Sequence, residues 1–600
     1  MTLGKRIEDY GLIGDGQTAA LVGRDGTIEW LCFPRFDSEA CFAALIGTPD
    51  NGYWRLSPDG QVIRSCRSYQ GDTLILETVW QTDSGEAAVI DFMPMRGQAP
   101  DVIRIVEGRA GRVAMRSVLA PRFDYGRISP LIERRGPGEL LAIAGPDALA
   151  VRADTDIAHD GGTLTSLFEV VEGQRVAFSL TWYPSHEDRP GPLDPPRDLE
   201  QTRDFWEGWA AQLQYDGTHR PVVMRSLLTL KALVNAPTGA IVAAPTTSLP
   251  EQPGGTRNWD YRYCWLRDAT WTLLTFHHAG FRAEARAWIG WLRRTLAGEP
   301  VNVRPFYPIA GSRTAHEHEA DWLAGFDNSR PVRIGNAAQG QRQLDVYGEV
   351  LDTLLVACRN GVETDNDALF RLLVRKVEEL WQHPDAGLWE SRGPAKHHVH
   401  SKVMCWVAFD RAASWFDHDP GLRRHYADLA AQVHAEILDR GFDQGRNCFT
   451  AAYGDPALDA ALLAIPLVGF LPADDPRVVG TVAAIERELV VGGYVRRYAP
   501  QATDDGVNED EGAFLACGFW LADVYALQGR REDAQALFDR LCATANDLGL
   551  LAEEVSIEEG RFLGNFPQAL SHLSLVGTAL SLASSGGPVH ERQQHHPARR

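Results

Sequence analysis

Four stretches of the chain gather the residue types that bond-breaking needs. The densest is Asn258–Asp268, eleven residues that carry Trp259, Tyr261, Tyr263 and Trp265 together with Asp260, Arg262, Arg267 and Asp268. Aromatic faces beside forked, charge-assisted donors suit a polar ring-shaped ligand, with apolar C–H faces to stack on and a rim of hydroxyls to bind. A buried Arg–Asp pair beneath an aromatic cluster would use the same residues for structure alone. The second stretch is Gly387–Gly393, with Trp389, Glu390 and Arg392, running on to Lys396, His397, His398, His400 and Lys402. A carboxyl beside Trp389 loses solvation, which raises its pKa and fits it for general-acid work. The plainer alternative is a surface loop in which Glu390 pairs with Arg392. The third, Leu550–Glu559, offers Glu553 or Glu554 as an ionised base and leaves Glu558 and Glu559 as exposed turn residues. The fourth joins Tyr494–Tyr498 to the acidic run Asp504–Glu511, which could meet sugar hydroxyls, a cation or nothing; its spacing departs from that of an EF-hand loop.

Two carboxyl groups on separate loops, with aromatics and Arg–Asp pairs around them, match the needs of glycoside hydrolysis. That reaction takes one protonated acid at the leaving oxygen and one ionised carboxylate, which attacks or activates water. Other chemistries lack a foothold. No P-loop, dinucleotide fingerprint or Gly-x-Ser-x-Gly elbow occurs. His316 with His318, and His397, His398 and His400, lack the helical pair and third ligand of a specific metal site, so neither a metal nor a cofactor is expected. The nine cysteines are odd in number, widely spaced and without a Cys-x-x-Cys, which argues against a disulfide framework or zinc knuckle.

The elements that must position these loops change character along the chain. Six hundred residues exceed one ordinary core. Over 1–185, short apolar runs such as Thr73–Trp80, Val102–Val106 and Val176–Trp182 alternate with Gly, Asp and Pro turns, and this predicts an antiparallel β-sandwich. A Pro-rich linker and a linker helix, roughly 198–214, occupy 186–215. From 216 to 584 the apolar period is helical, for example over Trp271–Leu296, Leu344–Cys358 and Val403–Trp415, and predicts about twelve helices with long loops between alternate pairs. An all-α (α/α) toroid would bring those loops to one face. An α-solenoid shares the periodicity, but no repeat recurs at a fixed period. Residues 585–600 hold little apolar content and read as a disordered tail. The formal charge of −21, from 59 basic and 80 acidic residues, is spread along the chain and disfavours nucleic acid and anionic membranes as partners. The N-terminus has no apolar targeting region and no stretch approaches membrane-spanning length, so cytoplasmic residence is the expectation.

Several long motifs, in order, carry a resemblance to glycoside hydrolase family 15, the glucoamylase, glucodextranase and bacterial trehalase family, over essentially 1–583. Ile7–Asp15 and Arg24–Asp37 resemble the β-domain of its trehalase-like branch, and Ser329–Asn336 and Gln343–Glu349 are similar to that branch too. The resemblance implies an N-terminal β-sandwich joined by a helical linker to an (α/α)6 barrel. Trp389-Glu390 resembles the family's general-acid motif, which would make Glu390 the acid. Ala552-Glu553-Glu554 resembles its base motif, which would make Glu553 the base, although Glu stands at 554 where the family has Gln. Trp265, Arg267 and Asp268 match a Trp-x-Arg-Asp substrate clamp, and Arg497-Tyr498 an Arg-Tyr segment near the reacting sugar. The implied activity is exo-acting, inverting hydrolysis of a small α-glucoside with release of β-glucose, α,α-trehalose first and α-1,4 or α-1,6 glucosides as the alternative. A silent sugar-binding protein would be expected to lack one of the two carboxyls; both are present. The oligomeric state is left open.

Overall fold

The computed structural model describes residues 5–299, 302–362, 366–499, 505–507, 510–583 and 587–593. Through Pro184 the chain is antiparallel β-structure in two layers, and one strand, Asp101–Ala120, belongs to both. Its first half pairs with Gly85–Phe92 and Arg175–Pro184, and its second half with Tyr53–Pro58 and Thr163–Val171. The changeover comes at Gly111 (φ +64), where a Cβ would stand 2.4 Å from the Ser84 carbonyl oxygen, so only glycine fits the bend. Period-two alternation puts Val102 and Val106 into the core between the layers. A fully buried Arg104 fastens the layers together. It binds Asp91 through two N–H groups at 2.7 and 3.2 Å and reaches the Trp54 and Gly26 carbonyls of the opposite layer at 2.9 and 2.8 Å. Every oxygen facing that guanidinium is therefore answered, which is the condition for burying a charge.

The linker helix α1 (Pro195–Ala210) is started by Asp194, whose side chain accepts from the Arg197 N–H, with proline at the first turn. Twelve helices follow in pairs: α2 (Arg220–Leu233) and α3 (Ala269–His278), α4 (Arg282–Ala297) and α5 (Asp345–Arg359), α6 (Asp367–Leu380) and α7 (Val399–Trp415). The remaining pairs are α8 (Pro420–Arg440) and α9 (Ala464–Leu467), α10 (Pro476–Glu488) and α11 (Leu515–Leu527), α12 (Arg531–Cys542) and α13 (Ala569–Ala583). The odd-numbered helices from α3 onward touch in a closed ring, α3 to α5, α5 to α7, α7 to α9, α9 to α11, α11 to α13 and α13 back to α3. Closure distinguishes an (α/α)6 barrel from a solenoid, whose ends never meet. Sequence agrees with place in the ring. Inner helices such as α5, α7, α11 and α13 are buried nearly all round, whereas outer α6 buries only the stripe Phe370, Leu373, Val374 and Val377.

Three details differ from the sequence expectation. The periodic stretch Trp271–Leu296 is two helices, broken at Gly280, whose φ of +96 ends α3. The fourth inner helix, a 3-10 turn (Ala460–Leu463) continued by α9, was missed because it is short and contains Pro466. The expected disordered tail contains a helix, α14 (Pro588–Gln593), which packs on α13, α9 and α3. Its Arg592, 1% exposed, binds Asp352 at 3.0 Å and both oxygens of Glu349 at 3.1 and 3.2 Å, and lies 5.1 Å from the Trp271 ring centroid. Low apolar content suggested disorder; a buried charge pair on acidic α5 overrides it.

The two domains meet over the segment that holds the site. Trp30 donates its indole N–H to the Pro245 carbonyl at 2.7 Å, and Arg262 reaches the Ser38 carbonyl at 2.9 Å. Arg67 binds Asp547 at 2.8 and 3.0 Å. Replacing Arg592 by Ala would strand Glu349 in the barrel and leave Asp352 to Arg411, and is expected to cost about 3–5 kcal/mol. A clear fall in the thermal unfolding midpoint would show it, whereas an unchanged midpoint would mean that α14 is a passive appendage.

Candidate active site

The segment after Pro245 crosses from the β-domain contact into the barrel and divides its charges by depth. Asp260 and Arg262 form one closed pair, at 2.9 and 2.6 Å, with Asp260 also accepting from the Gly335 N–H at 3.0 Å. That pair is structural. Trp265 lies in a two-residue strand beside Phe306 and stacks on it, centroids 4.5 Å apart, so its indole N–H is aimed at Glu390, to which it donates. Arg267 follows at the lip of α3, contacting Asp268 at 3.2 Å, the Leu388 carbonyl at 3.0 Å and the Glu390 carboxylate at 3.7 Å.

Glu390 itself sits in left-handed backbone (φ +61), a conformation that costs a non-glycine residue about 1–3 kcal/mol and persists only when its surroundings impose it. They do: Gln341 donates its amide to the carbonyls of both Glu390 and Ser391 at 3.0 Å, and Trp389 is fixed by an indole bond to Asp459 at 2.8 Å. Burial pushes the Glu390 carboxyl above its ordinary range, while Arg267 and the Trp265 indole pull the other way. Arg392, the alternative partner on the same loop, pairs with Glu317 instead, at 2.6 Å.

Glu554 begins a short strand, Glu554–Val555, laddered between Ala513–Phe514 and Phe562–Leu563, and Glu553 stands in the bend just before it; the two carboxyls take different partners. Glu554 accepts the Gly512 N–H at 2.7 Å, and burial, then Glu251 and Glu511, push its carboxyl well above the ordinary range. Glu553 is hydrogen-bonded by the Tyr261 hydroxyl; burial, then repulsion from Glu251, pushes it up to about 8, with Arg497 and Arg267 opposing. Tyr261, kept protonated by burial and by the neighbouring carboxylates Glu553, Glu251 and Glu390, is a donor here. Glu553 Oε2 has no hydrogen-bond partner among the described residues. Glu390 and Glu553 thus share one cation, Arg267, and one phenol, Tyr261.

Around them runs a buried network. Arg497 binds both oxygens of Glu511, at 2.7 and 2.6 Å, and Glu251 at 3.1 Å, and its guanidinium lies 4.6 Å from the Phe514 ring centroid. Arg257 stands 3.4 Å from Glu511 and 3.7 Å from Glu251, and binds Asp505, which also accepts the Tyr498 hydroxyl at 2.6 Å. A cavity of about 440 Å³ opens beside Glu390, walled by Glu251, Trp259, Tyr261, Asn336, Arg392 and Arg497. A second, of about 630 Å³, lies across Trp389 against His398, His400, Asp459 and Tyr498. Trp265, Arg267, Asp268 and Glu553 lie beside these spaces in near-complete burial. Of the residues expected from sequence, Trp265, Arg267, Asp268, Glu390 and Glu553 come together; Trp389 and Arg497 line the cavity, and Tyr498 is turned to Asp505. Glu251 and Arg257 were not singled out, and Tyr261 and Glu511 were named only as members of longer stretches. Their signals were the aromatic segment for Tyr261 and the acidic run for Glu511. Part of the acidic run, Asp504 with Asn508 and Glu509, lies outside the described residues. Among the described residues no group of three His, Cys, Asp or Glu side chains could hold a metal ion.

Two family models divide the chain between them: that of "Glycosyl hydrolases family 15" matches residues 217–580, and that of "Trehalase-like, N-terminal" matches 3–174. The chain belongs to glycosyl hydrolases family 15. This family-15 chain is a glycoside hydrolase. It is 38% identical to the trehalase of Mycolicibacterium smegmatis, over 96% of this chain and 91% of that one. It is 34% identical to the trehalase of Thermoplasma volcanium, over 96% and 93%. A bacterial glucoamylase complexed with acarbose shares the fold, with a TM-score of 0.74 at 13% identity over 99% of this chain and 98% of that one. No helix among the described residues of the family-15 chain is long and apolar enough to cross a membrane.

Replacing Arg497 by Met would leave Glu511 and Glu251 buried against Arg257 alone. The expected loss is about 3–5 kcal/mol of stability, read from thermal or denaturant unfolding. Arg497→Lys should recover only part, because a point charge cannot match both oxygens of Glu511. A wild-type midpoint in Arg497→Met would remove the network from any supporting role.

Proposed function

We propose that this glycoside hydrolase splits α,α-trehalose with inversion, Glu390 serving as general acid and Glu553 as general base. The observation that carries the assignment is the convergence of these two carboxyls, from separate loops, on Arg267 and Tyr261. Full-length similarity to trehalases, in both domains, supports the choice of substrate. In the reaction the Glu390 proton passes to the glycosidic oxygen as the C1–O bond breaks, and the departing sugar keeps the electron pair. Water bonds to C1 from the opposite face and gives its proton to Glu553, whose unpartnered Oε2 is the oxygen available to take it. Trp265, Arg267 and Asp268 hold the glucose being transferred, with Trp389 and Arg497 alongside. Glu554, with Gly512 on its oxygen, keeps the loop in register. A cytoplasmic site of action accords with nine cysteines that are all free.

Inversion has a signature specific to this substrate. Attack opposite the leaving group makes one half β-glucose and leaves the other half α, so early proton NMR spectra should show equal amounts of the two anomers. A retaining enzyme would give only α at first, and that result would refute the mechanism. Initial rates on maltose and isomaltose should fall well below that on trehalose; the reverse order would overturn the substrate.

The carboxyl assignments make a second set of expectations. Glu390→Gln and Glu553→Gln should each lower kcat by about 10²–10⁴-fold, whereas Glu554→Gln, still able to accept from Gly512, should retain most of the activity. Activity needs Glu553 ionised and Glu390 protonated. With Glu553 raised to about 8 by burial and Glu251, the rate should climb with pH well above the ordinary carboxylate range. Burial raises Glu390 too, the direction that favours a retained proton. Glu251→Gln removes the repulsion, so the acid limb of kcat/KM should move to lower pH; a limb that stays put would detach Glu553 from it.

A further inference from the structure

Arg392, two residues beyond Glu390, is not consumed by the chemistry above, yet it is held with unusual firmness. Its backbone N–H and that of Gly393 both donate to the Asp505 carbonyl, at 2.8 and 3.1 Å. Gly506 (φ +81) passes so close that a Cβ there would stand 2.6 Å from the Arg392 carbonyl carbon. The guanidinium lies 4.3 Å from the Trp259 ring centroid and binds both oxygens of Glu317, at 3.2 and 2.6 Å. Glu317 is itself fixed by the Ala337 N–H at 3.0 Å, and Trp259 by an indole bond to Glu251.

Position then says what this restraint is for. Among the arginines walling the cavity beside Glu390, the Arg497 and Arg257 side chains are 6% and 4% exposed and that of Arg392 is 31% exposed, so Arg392 stands at the outer end. The clamp residues Arg267 and Asp268 do not line this cavity. With the transferred glucose on the clamp beside Trp389 and Arg497 and the glycosidic oxygen at the Glu390 carboxyl, the other half points to the open end of this cavity, where Arg392 stands. The grip on Glu317 engages two guanidinium N–H groups and leaves others to meet hydroxyls, in a fork fixed before the ligand arrives.

We propose that Arg392, seated on Trp259 and Glu317, binds the departing sugar and sets the preference for a disaccharide. This rests on the trehalose-splitting reading above and names the residues that recognise the second half of its substrate. The test compares kcat/KM on trehalose with kcat/KM on 4-nitrophenyl α-glucoside, whose flat departing group has no ring of hydroxyls. In Arg392→Ala the ratio of the two should fall about ten- to a hundred-fold, chiefly through KM on trehalose. A purely structural role, acting by displacing Glu390, would lower both substrates together, and an unchanged ratio overturns the proposal. Glu317→Gln, which loosens Arg392 without removing it, should move the ratio the same way by less. Together with Arg392→Lys it carries the test if the alanine variant melts early. Should the wild-type enzyme prefer another α-linked glucose disaccharide, the substrate reading fails and the ratio is taken on that disaccharide, where Arg392 must still move it. If no disaccharide is split, both fail.

Discussion

The site depends on an imbalance of buried charge. Three guanidiniums, Arg257, Arg267 and Arg497, stand among the carboxyl groups of Glu251, Asp268, Glu390, Asp505, Glu511, Glu553 and Glu554, nearly all removed from water. Three cations cannot neutralise so many anions, and a buried unpaired carboxylate costs several kcal/mol. Some of these groups must therefore keep their protons. The protein does not distribute that burden evenly. Asp505, with the Tyr498 hydroxyl and Arg257 on it, falls below the ordinary range, whereas Glu553 and Glu554 are pushed up. A raised carboxyl is what acid catalysis needs, and burial moves Glu390 in that direction as well. The same crowding couples the groups, so that Glu251, which lies outside the reaction, tunes Glu553.

Holding such a cluster requires a scaffold whose polar ends are fastened elsewhere. The inner ring of helices supplies rigid wall, but α5 carries Asp345, Glu349 and Asp352 into the interior. Arg592 from α14 and Arg411 from α7, the latter bonded to Asp352 at 2.7 Å, answer the last two of those acids. The β-domain fastens the other end through Trp30 and the Ser38 carbonyl. Both docks bear on the segment from Pro245 to Asp268, so Trp265, Arg267 and Asp268 are placed by contacts made outside the site.

Much of this was legible in the sequence, and the reasons are local. Period-two runs with Gly and Asp turns gave the β-layers, and three-to-four spacing gave most helices, because both patterns are imposed by one-sided burial. Trp265, Arg267, Asp268, Glu390 and Glu553 each stood in a stretch with a distinctive mixture of aromatic and charged residues. What escaped depended on partners far along the chain. Glu251 sits in an ordinary Pro-Glu-Gln and matters only because Arg497 and Glu553 fold against it. Arg592 lies in a tail whose composition argues for disorder, and nothing nearby announces that Glu349 awaits it. Arg392 looked like the natural partner of Glu390, being two residues away, but the left-handed turn at Glu390 sends the two side chains to different partners.

That turn also clarifies why one eleven-residue segment can satisfy two readings at once. A buried Arg–Asp pair and a ligand clamp are usually alternatives, since a guanidinium saturated by its own carboxylate has little left for a ligand. Here Arg262 is saturated, with both Asp260 oxygens and the Ser38 carbonyl around it, and is structural. Arg267 makes a single long contact with Asp268, one bond to the Leu388 carbonyl at 3.0 Å and a 3.7 Å approach to Glu390, and no oxygen pair saturates its fork. The difference is set by burial against the β-domain on one side and against the Glu390 loop on the other. Saturation, rather than residue type or spacing, separates the arginine that holds the domains from the one that can hold a sugar.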